Sequence, residues 1–488
     1  MTRSRRGRRW PLSGDWSVHG ERLTSPVRIA ECKEVAGPPD AVPVGSHTVS
    51  GLHFPAKQHL DDLSNFLSLS PSPYHAVANA TQRLAAEGFL ALTETEQWPS
   101  APGRYFVERG GALVAWSTTS DSDVVNGFRI LGAHTDSPNL RLRPRPDHSG
   151  PGAAQLGVEI YGSPLLNSWL DRDLGLSGRV VVELGSRQLS TLLVRVDEPL
   201  LRIPQLAIHL DRSISTDGLR LDPQRHLQPI WSAAPSTAPH FRSWLAEHLG
   251  LEESSVLAWD LMTHDLTPPS VLGVDGTMFA SGRIDNLLSC HAALAALIAV
   301  ADSDTHSGSV PVLCLFDHEE VGSHSSSGAA SQLLPSVLER IALASHLDRD
   351  QWFAALASSL CISADGAHAI HPNWPERHEP DHPVVLDGGP VLKWNANVRY
   401  GTDAPGAGFL RSVAREMSIP LQEFVSRNDM PCGSTIGPVT ATQLGITTVD
   451  VGVAQLSMHS ARELTGVVDP SRFASLLAGV LARPNLDE

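Results

Sequence analysis

The stretch VPVLCLFDHEEVGSHSSSG, Val310 to Gly328, sets an apolar run directly against a knot of ionisable side chains. Residues 310–316 are almost continuously apolar and too few for a helix, which predicts a strand buried on both faces. Asp317, His318, Glu319 and Glu320 follow at once. In a continuing strand neighbouring side chains point to opposite faces, so both glutamates serve one site only if the chain turns here. Gly322 and the serines after it permit that turn.

The same texture recurs on either side. Strands are predicted at 128–133, 310–317, 359–364 and 446–453, and helices at 285–301, 331–345, 405–417 and 436–444. Upstream, KQHLDDLSNFLSL and YHAVANATQRLAAEGF carry helical spacing, the second stopping at Gly88. Alternating strands and helices predict an α/β fold with a mixed, mostly parallel sheet flanked by helices. Between 144 and 269 the texture changes. SGRVVVELGSRQLSTLLVRVD (177–197) reads as two β-rich runs around a turn. The expected organisation is an extension at 1–51, a catalytic domain from 52–143 and 270–488, and an inserted β-rich domain at 144–269.

Composition excludes several classes. The chain has 488 residues, 41% hydrophobic and 18% charged, with a formal net charge of -16. That balance suits a globular protein and argues against a general binder of nucleic acid or anionic membrane. The five cysteines are scattered and form no C-x-x-C pair, so a reducing, cytoplasmic setting is expected. LLSCHAALAALIAVA (287–301) reads as a buried helix rather than a membrane span. The basic start, MTRSRRGRRW, has no apolar segment after it and reads as a disordered extension without a targeting role.

In open α/β sheets the active site lies beyond the carboxyl ends of the strands. His134 and Asp136 close one strand, Asp365 another, and His459 follows a third; Asp285 opens a helix. Alone, each has an ordinary explanation: a cap, a core histidine, a solvated turn. Together they bring clustered carboxylates to one edge, where like charges resist ionising unless a cation neutralises them. One or two divalent metals resolve that cost, and mixed His/carboxylate ligation suits zinc, manganese or cobalt. One glutamate of the pair can then bind metal while the other stays free as a general base, which is hydrolase logic.

Competing motifs fall away. HEPDH (378–382) formally matches H-E-x-x-H, but Pro380 inside it breaks the helix that motif needs. There is no G-x-S-x-G elbow and no P-loop. Cys432, in NDMPCGSTIGP, could be a nucleophile, but the glycines around it favour a backbone-lined turn.

The sequence resembles the aspartyl aminopeptidase family of dinuclear zinc exopeptidases, whose assemblies are tetrahedral dodecamers. The resemblance covers about residues 52–485. It is carried by LGAHTDSPNLRLR, QLGVEIYG…WLDRDLGLSGRV, IPQLAIHLDR, SGRIDNLLSC, FDHEEVGS, SADGAHAIHPN, GGPVLKWNANVRY, NDMPCGSTIGP and QLSMHSARE, in that order. It implies a zinc exopeptidase-like fold in which His134, Asp285, Glu320, Asp365 and His459 bind two metal ions per subunit, usually zinc. Asp285 would bridge them, Glu319 would be the general base, and Asp136 would orient His134. The implied reaction removes one N-terminal residue, preferably Asp or Glu, using a water activated at the metals.

Only three lysines occur, at 33, 57 and 393, in a chain that otherwise chooses arginine. Lys393 is therefore the candidate partner of the substrate's acidic side chain, with His368 assisting. By the same resemblance the segment 144–269 is a dimerisation domain, and His209 reaches into a neighbouring subunit's active site. The expected partners are acidic peptides and further copies of the chain, with no nucleic acid and no membrane. Two alternatives stand beside this reading: the same chemistry on neutral N-termini, and a non-catalytic assembly or cargo protein that keeps the fold. Asp317 and His318 receive no role.

Overall fold

The computed structural model describes residues 52–119, 123–302 and 308–483. The extension expected at 1–51 lies outside the described residues, as does Cys32. The described residues all belong to one compact unit.

Val310–Phe316 is a central strand of a nine-stranded sheet. Across that sheet the order is Leu90–Ala91, Arg104–Arg109, Ala112–Ser117, Val310–Phe316, Phe128–His134, Leu360–Ala364, Thr447–Gly452, Val391–Trp394 and Gln422–Val425. The four strands from Val310–Phe316 to Thr447–Gly452 are mutually parallel. Ala112–Ser117 and Val391–Trp394 flank them antiparallel. Phe316 pairs with His134, and Ala364 with Val451, so the parallel strands deliver their carboxyl ends to one edge.

Both faces of this sheet are covered, which is why its strands are apolar throughout rather than alternating. Val310, Val312, Cys314 and Phe316 face a core closed by the helices Leu333–Ala344, Arg349–Ala357 and Ile436–Leu444. Leu313 and Leu315 face the opposite core, under Ala56–Leu69, Pro73–Ala86, Ile284–Ala301, Ala404–Glu416 and Asp469–Ala482. Each such fully buried side chain contributes about 1.5–3 kcal/mol. The helix Ile284–Ala301 is long and apolar enough to cross a membrane by length and composition, but it lies within the core, 78% buried.

A six-stranded antiparallel sheet occupies much of the segment expected to be β-rich. Its order is Gln188–Leu201, Leu174–Leu184, Val256–Asp265, Asn139–Gly150, Ala153–Tyr161 and Ile230–Ser232. The turn Gly185–Arg187 separates the two runs read from sequence. Asn139–Gly150 begins before 144, because the chain passes into this sheet only five residues after the strand ending at His134. The helix Phe241–Leu249 helps close its core.

A third sheet of short strands joins Ser270–Leu272, Met278–Ser281, Glu463–Gly466, Ala454–Leu456 and Ala367–His368. Strands of two to four residues are too short to show a period, so the sequence does not reveal them.

Candidate metal centre

The parallel strands stop where the charged residues begin. After Phe316 the backbone enters the left-handed region at His318 (φ 63°), makes one tight turn at Glu319–Val321, and re-enters that region at Gly322. Asp317 and His318 fasten this turn. The Asp317 Oδ1 accepts the His318 amide at 2.8 Å, and the His318 Nδ1 lies 2.8 Å from the Ser325 hydroxyl. Both glutamates thus leave the strand on a turn, as a shared site requires. Gly452 matters for a different reason: a Cβ there would stand 1.6 Å from the Asp365 carbonyl oxygen, so a side chain would push Asp365 away.

His134, Asp285, Glu320, Asp365 and His459 come together. His134 Nε2 lies 3.5 Å from both Asp285 Oδ1 and Asp365 Oδ1. His459 Nε2 lies 3.4 Å from Asp285 Oδ2 and 3.3 Å from Glu320 Oε2. Asp285 therefore turns one carboxylate oxygen toward each imidazole. Asp365 stands beside the first ring and Glu320 beside the second. His134, Asp285 and Glu320 offer donor atoms all within 4.8 Å of one another.

Three observations test whether this set fits divalent cations. First, each imidazole has its Nδ1 against a backbone carbonyl, of Asp136 for His134 and of Ser163 for His459, both at 3.0 Å. An Nδ1–H donated there leaves Nε2 with its lone pair aimed at carboxylates, the tautomer a metal ligand needs. Second, the 3.3–3.5 Å gaps exceed the usual 2.7–2.9 Å of charge-assisted hydrogen bonds. They match the roughly 3.4 Å edge of a tetrahedron with bonds of about 2.0–2.2 Å. Third, Asp285 Oδ1 and Glu320 Oε1 are buried and have no hydrogen-bond partner among the described residues. The donor set fits.

The electrostatics agree. Burial, with the charge of Asp285 adding to it, pushes Glu320 well above the carboxylate range. Burial likewise raises Glu319 to about 8, with His134 opposing and Asp365 adding. Burial works against charge on His134, yet Asp136, Asp285 and Asp365 outweigh it and hold the imidazole well above its ordinary value. By themselves these side chains carry more negative charge than their surroundings tolerate, the condition that a bound cation relieves.

Around these residues stands a supporting set, of which Asp136 is expected from the sequence and Tyr161, Ser137 and Glu463 are not. Asp136 faces His134 Nδ1, at 3.4 Å from its Oδ1, and also accepts the amides of Glu319 (3.0 Å) and Glu320 (3.1 Å). It thus fixes the glutamate turn as well as the first histidine. Tyr161 donates its hydroxyl to Asp136 at 2.6 Å. Ser137 donates to the Asp285 carbonyl at 2.6 Å. Glu463 accepts the amides of Asp285 and His459. Glu463 and Tyr161 lie inside two of the motifs, QLSMHSARE and QLGVEIYG, but neither has a role legible there, since these contacts join residues distant in sequence.

A cleft of about 520 Å³ opens from this centre, with Glu319, Lys393, His368 and Arg399 in its walls. Lys393 is buried; its Nζ lies 3.1 Å from the Gly366 carbonyl, 3.5 Å from Asp365 Oδ2 and 5.0 Å from the centre of the Tyr400 ring. His368 lies on the short strand Ala367–His368, and burial, then the nearby Lys393, lowers its pKa. His209 is elsewhere: it sits on an exposed turn and does not line the cleft of its own chain.

HEPDH forms no helix. His378 Nε2 accepts the His371 amide at 3.0 Å, and His382 pairs with Glu379. Cys432 precedes Gly433, Ser434 and Thr435 in the cleft wall, which suits the backbone-lined turn. The four described cysteines, Cys290, Cys314, Cys361 and Cys432, are free thiols.

Two imidazoles and clustered carboxylates at parallel strand ends, beside a cleft, define a metallohydrolase arrangement. Comparison with known proteins narrows it. The profile described as Aminopeptidase I zinc metalloprotease (M18) matches residues 66–479. The probable M18 family aminopeptidase 2 of Streptomyces avermitilis is 54% identical over 424 residues, 87% of this chain and 97% of the relative. That of Mycobacterium tuberculosis strain H37Rv is 47% identical over 426 residues, 86% and 97% of the two chains.

Among solved structures, a chain of the cryo-EM structure of the Ape4 and Nbr1 complex superposes with a TM-score of 0.84 at 37% identity, covering 88% of this chain and 86% of its own. The S. cerevisiae mApe1 dodecamer superposes with a TM-score of 0.74 at 28% identity, covering 86% and 95%. The chain belongs to the M18 family of zinc metalloproteases and is a metalloaminopeptidase. The α/β architecture read from the sequence is the fold of that family.

Proposed function

We propose that this aminopeptidase binds two divalent metal ions, zinc in the first instance, and removes single N-terminal residues with a preference for Asp and Glu. The observation that carries the two-metal reading is Asp285, whose two oxygens face two separate imidazoles. His134 and Asp365 would hold one ion, His459 and Glu320 the other, with Asp285 between them. When bound, the pair would supply Lewis acidity toward the scissile carbonyl and make the attacking water more acidic.

Glu319, the acid of the turn that takes no ligand place, lines the cleft on an amide held by Asp136. It takes a proton from the attacking water and passes one to the departing amine as the peptide bond breaks. Asp136 keeps His134 in its ligand tautomer.

Lys393 supplies the acidic preference. Its ammonium is buried at the cleft wall, where a carboxylate gains most from a point charge. His368 flanks it. One observation favours the runner-up, the same chemistry on neutral N-termini: the ammonium already faces Asp365. For assembly, the reading is a dimer built on the 144–269 segment, repeated into a dodecamer, with His209 entering a neighbouring cleft. Leu206, Ile208 and Leu210, on the same turn as His209, are 58%, 55% and 75% exposed, as an interface segment in a free chain would be.

The test is hydrolysis of Asp-, Glu-, Leu- and Ala-terminal chromogenic substrates with and without chelator. Acidic substrates should dominate, and chelator should abolish turnover. Activity that survives complete metal removal sinks the metal mechanism, while a Leu preference sinks the acidic pocket.

A further inference from the structure

Asp285 and His459 share a structural difficulty. Asp285 belongs to the first turn of Ile284–Ala301, where no helix carbonyl reaches its amide, and its backbone is not helical (φ −81°, ψ 107°). His459 sits in the left-handed region at φ 66°, outside any strand. Non-glycine residues avoid that conformation unless their surroundings fix it. Each is placed against the other's imidazole or carboxylate, yet neither is held there by regular secondary structure.

One side chain takes both amides. The Glu463 Oε2 accepts the Asp285 N–H at 2.9 Å, and its Oε1 accepts the His459 N–H at 2.7 Å. Glu463 is itself 2% exposed and stands at the start of the strand Glu463–Gly466, pinned by that strand's pairing with Met278–Ser281. From the other side, Ser137 donates to the Asp285 carbonyl and Ser163 offers its carbonyl to His459 Nδ1. Two buried acceptor oxygens on one rigid carboxylate meet two donors that have no place in a ladder.

We infer that Glu463 is a positioning residue for the metal pair: by clamping the backbones of Asp285 and His459 together it sets the spacing of the bridging carboxylate and the second imidazole. It touches neither substrate nor reacting atoms. The inference rests on the two-metal reading above. An ordinary alternative is that Glu463 merely satisfies a helix start, in which case its loss would lower stability and leave metal binding alone. The chemistry of the side chain separates the two. A glutamine has one acceptor oxygen and an NH₂ that would face the second N–H, so it can serve one ligand backbone and must repel the other. An aspartate keeps both oxygens but is one methylene too short to reach both amides at once.

The experiment uses the full chain, loaded with zinc and stripped by a chromogenic chelator, reading zinc per subunit, release rate and thermal midpoint of the metal-free protein. For Glu463→Gln the expected result is a metal-free midpoint close to wild type, with zinc release faster by about 10–100-fold, the usual cost of losing a partner behind the ligands. Glu463→Asp should fall between the two. Release within threefold of wild type from a folded glutamine variant overturns the clamp, and so does failure of both variants to fold, which would assign Glu463 to the fold alone. Wild-type protein that takes up no zinc fails the two-metal reading instead, so the two failures are distinguishable.

Discussion

The strand-end edge of the nine-stranded sheet and the six-stranded sheet leave opposite kinds of group unsatisfied. At the strand ends apolar residues are sealed in two cores, and what lacks a hydrogen bond among the described residues is polar: the buried Asp285 Oδ1 and Glu320 Oε1. On the six-stranded sheet the exposed surplus is apolar. Leu189 and Leu193 point outward from the edge strand Gln188–Leu201, and Leu206, Ile208 and Leu210 follow on the turn beyond it. Buried polar atoms call for a cation, and exposed leucines call for another protein surface. One chain therefore carries two incomplete regions that demand different completions. If that contrast is right, each region should fail in its own way when altered.

The largest effect is expected at the metal edge. Glu319→Gln removes the base but none of the five proposed ligands, so turnover should fall about 10²–10⁴-fold while zinc per subunit stays at the wild-type value. Loss of metal in that variant would move Glu319 into the ligand set. Retained activity would remove it from the mechanism.

Next is Lys393→Ala. A hydrogen bond to a charged group contributes about 1.5–3 kcal/mol, so kcat/KM on Asp and Glu substrates should drop about 10–100-fold, with Leu and Ala substrates nearly unchanged. An equal loss on all four would mean that the ammonium serves Asp365, which it already faces at 3.5 Å, rather than the substrate.

His209→Ala connects the two regions. The residue does not line its own cleft, and in the proposed assembly its effect on kcat crosses a subunit boundary. The expected loss is on the order of tenfold, the equivalent of one hydrogen bond. It should be seen only in the assembled protein. The same loss in a sedimentation-verified monomer would break the link between assembly and activity.

How far the sequence revealed these regions follows from the range of the interactions. The long apolar strands and the helix Ile436–Leu444 were legible because burial on two faces writes a continuous pattern into a few adjacent residues. His134, Asp285, Glu320, Asp365 and His459 stood out because each lies next to such an element. Val391–Trp394 was hidden by its four-residue length, and the sheet that carries Glu463 by strands of two to four residues. Glu463 itself acts on Asp285 across 178 residues through a backbone amide, and a backbone amide leaves no mark on residue type. Tyr161, 25 residues from Asp136, meets it side chain to side chain only once the chain is folded. Leu189 and Leu193 looked like ordinary strand residues until the structure left them uncovered.

The smallest expected change in stability belongs to the exposed turn that carries His209, and it is the most discriminating for the contrast. Replacing Leu206, Ile208 and Leu210 together by serine removes three side chains that are more than half exposed and so contribute little to the folded chain. The metal-free midpoint of an isolated subunit should shift by no more than substitutions at exposed positions usually cause, about 0.5 kcal/mol each at most. Assembly should respond far more, because burying such side chains against a second copy is worth about 1.5–3 kcal/mol apiece and a closed oligomer repeats each contact. Sedimentation of the triple variant is therefore expected to show smaller species at concentrations where the wild type is assembled. Its activity should then fall to the level of the His209→Ala protein and no further. An intact oligomer would show that the exposed turn is not an interface. A disassembled but fully active subunit would keep the interface and remove His209 from its neighbour's cleft.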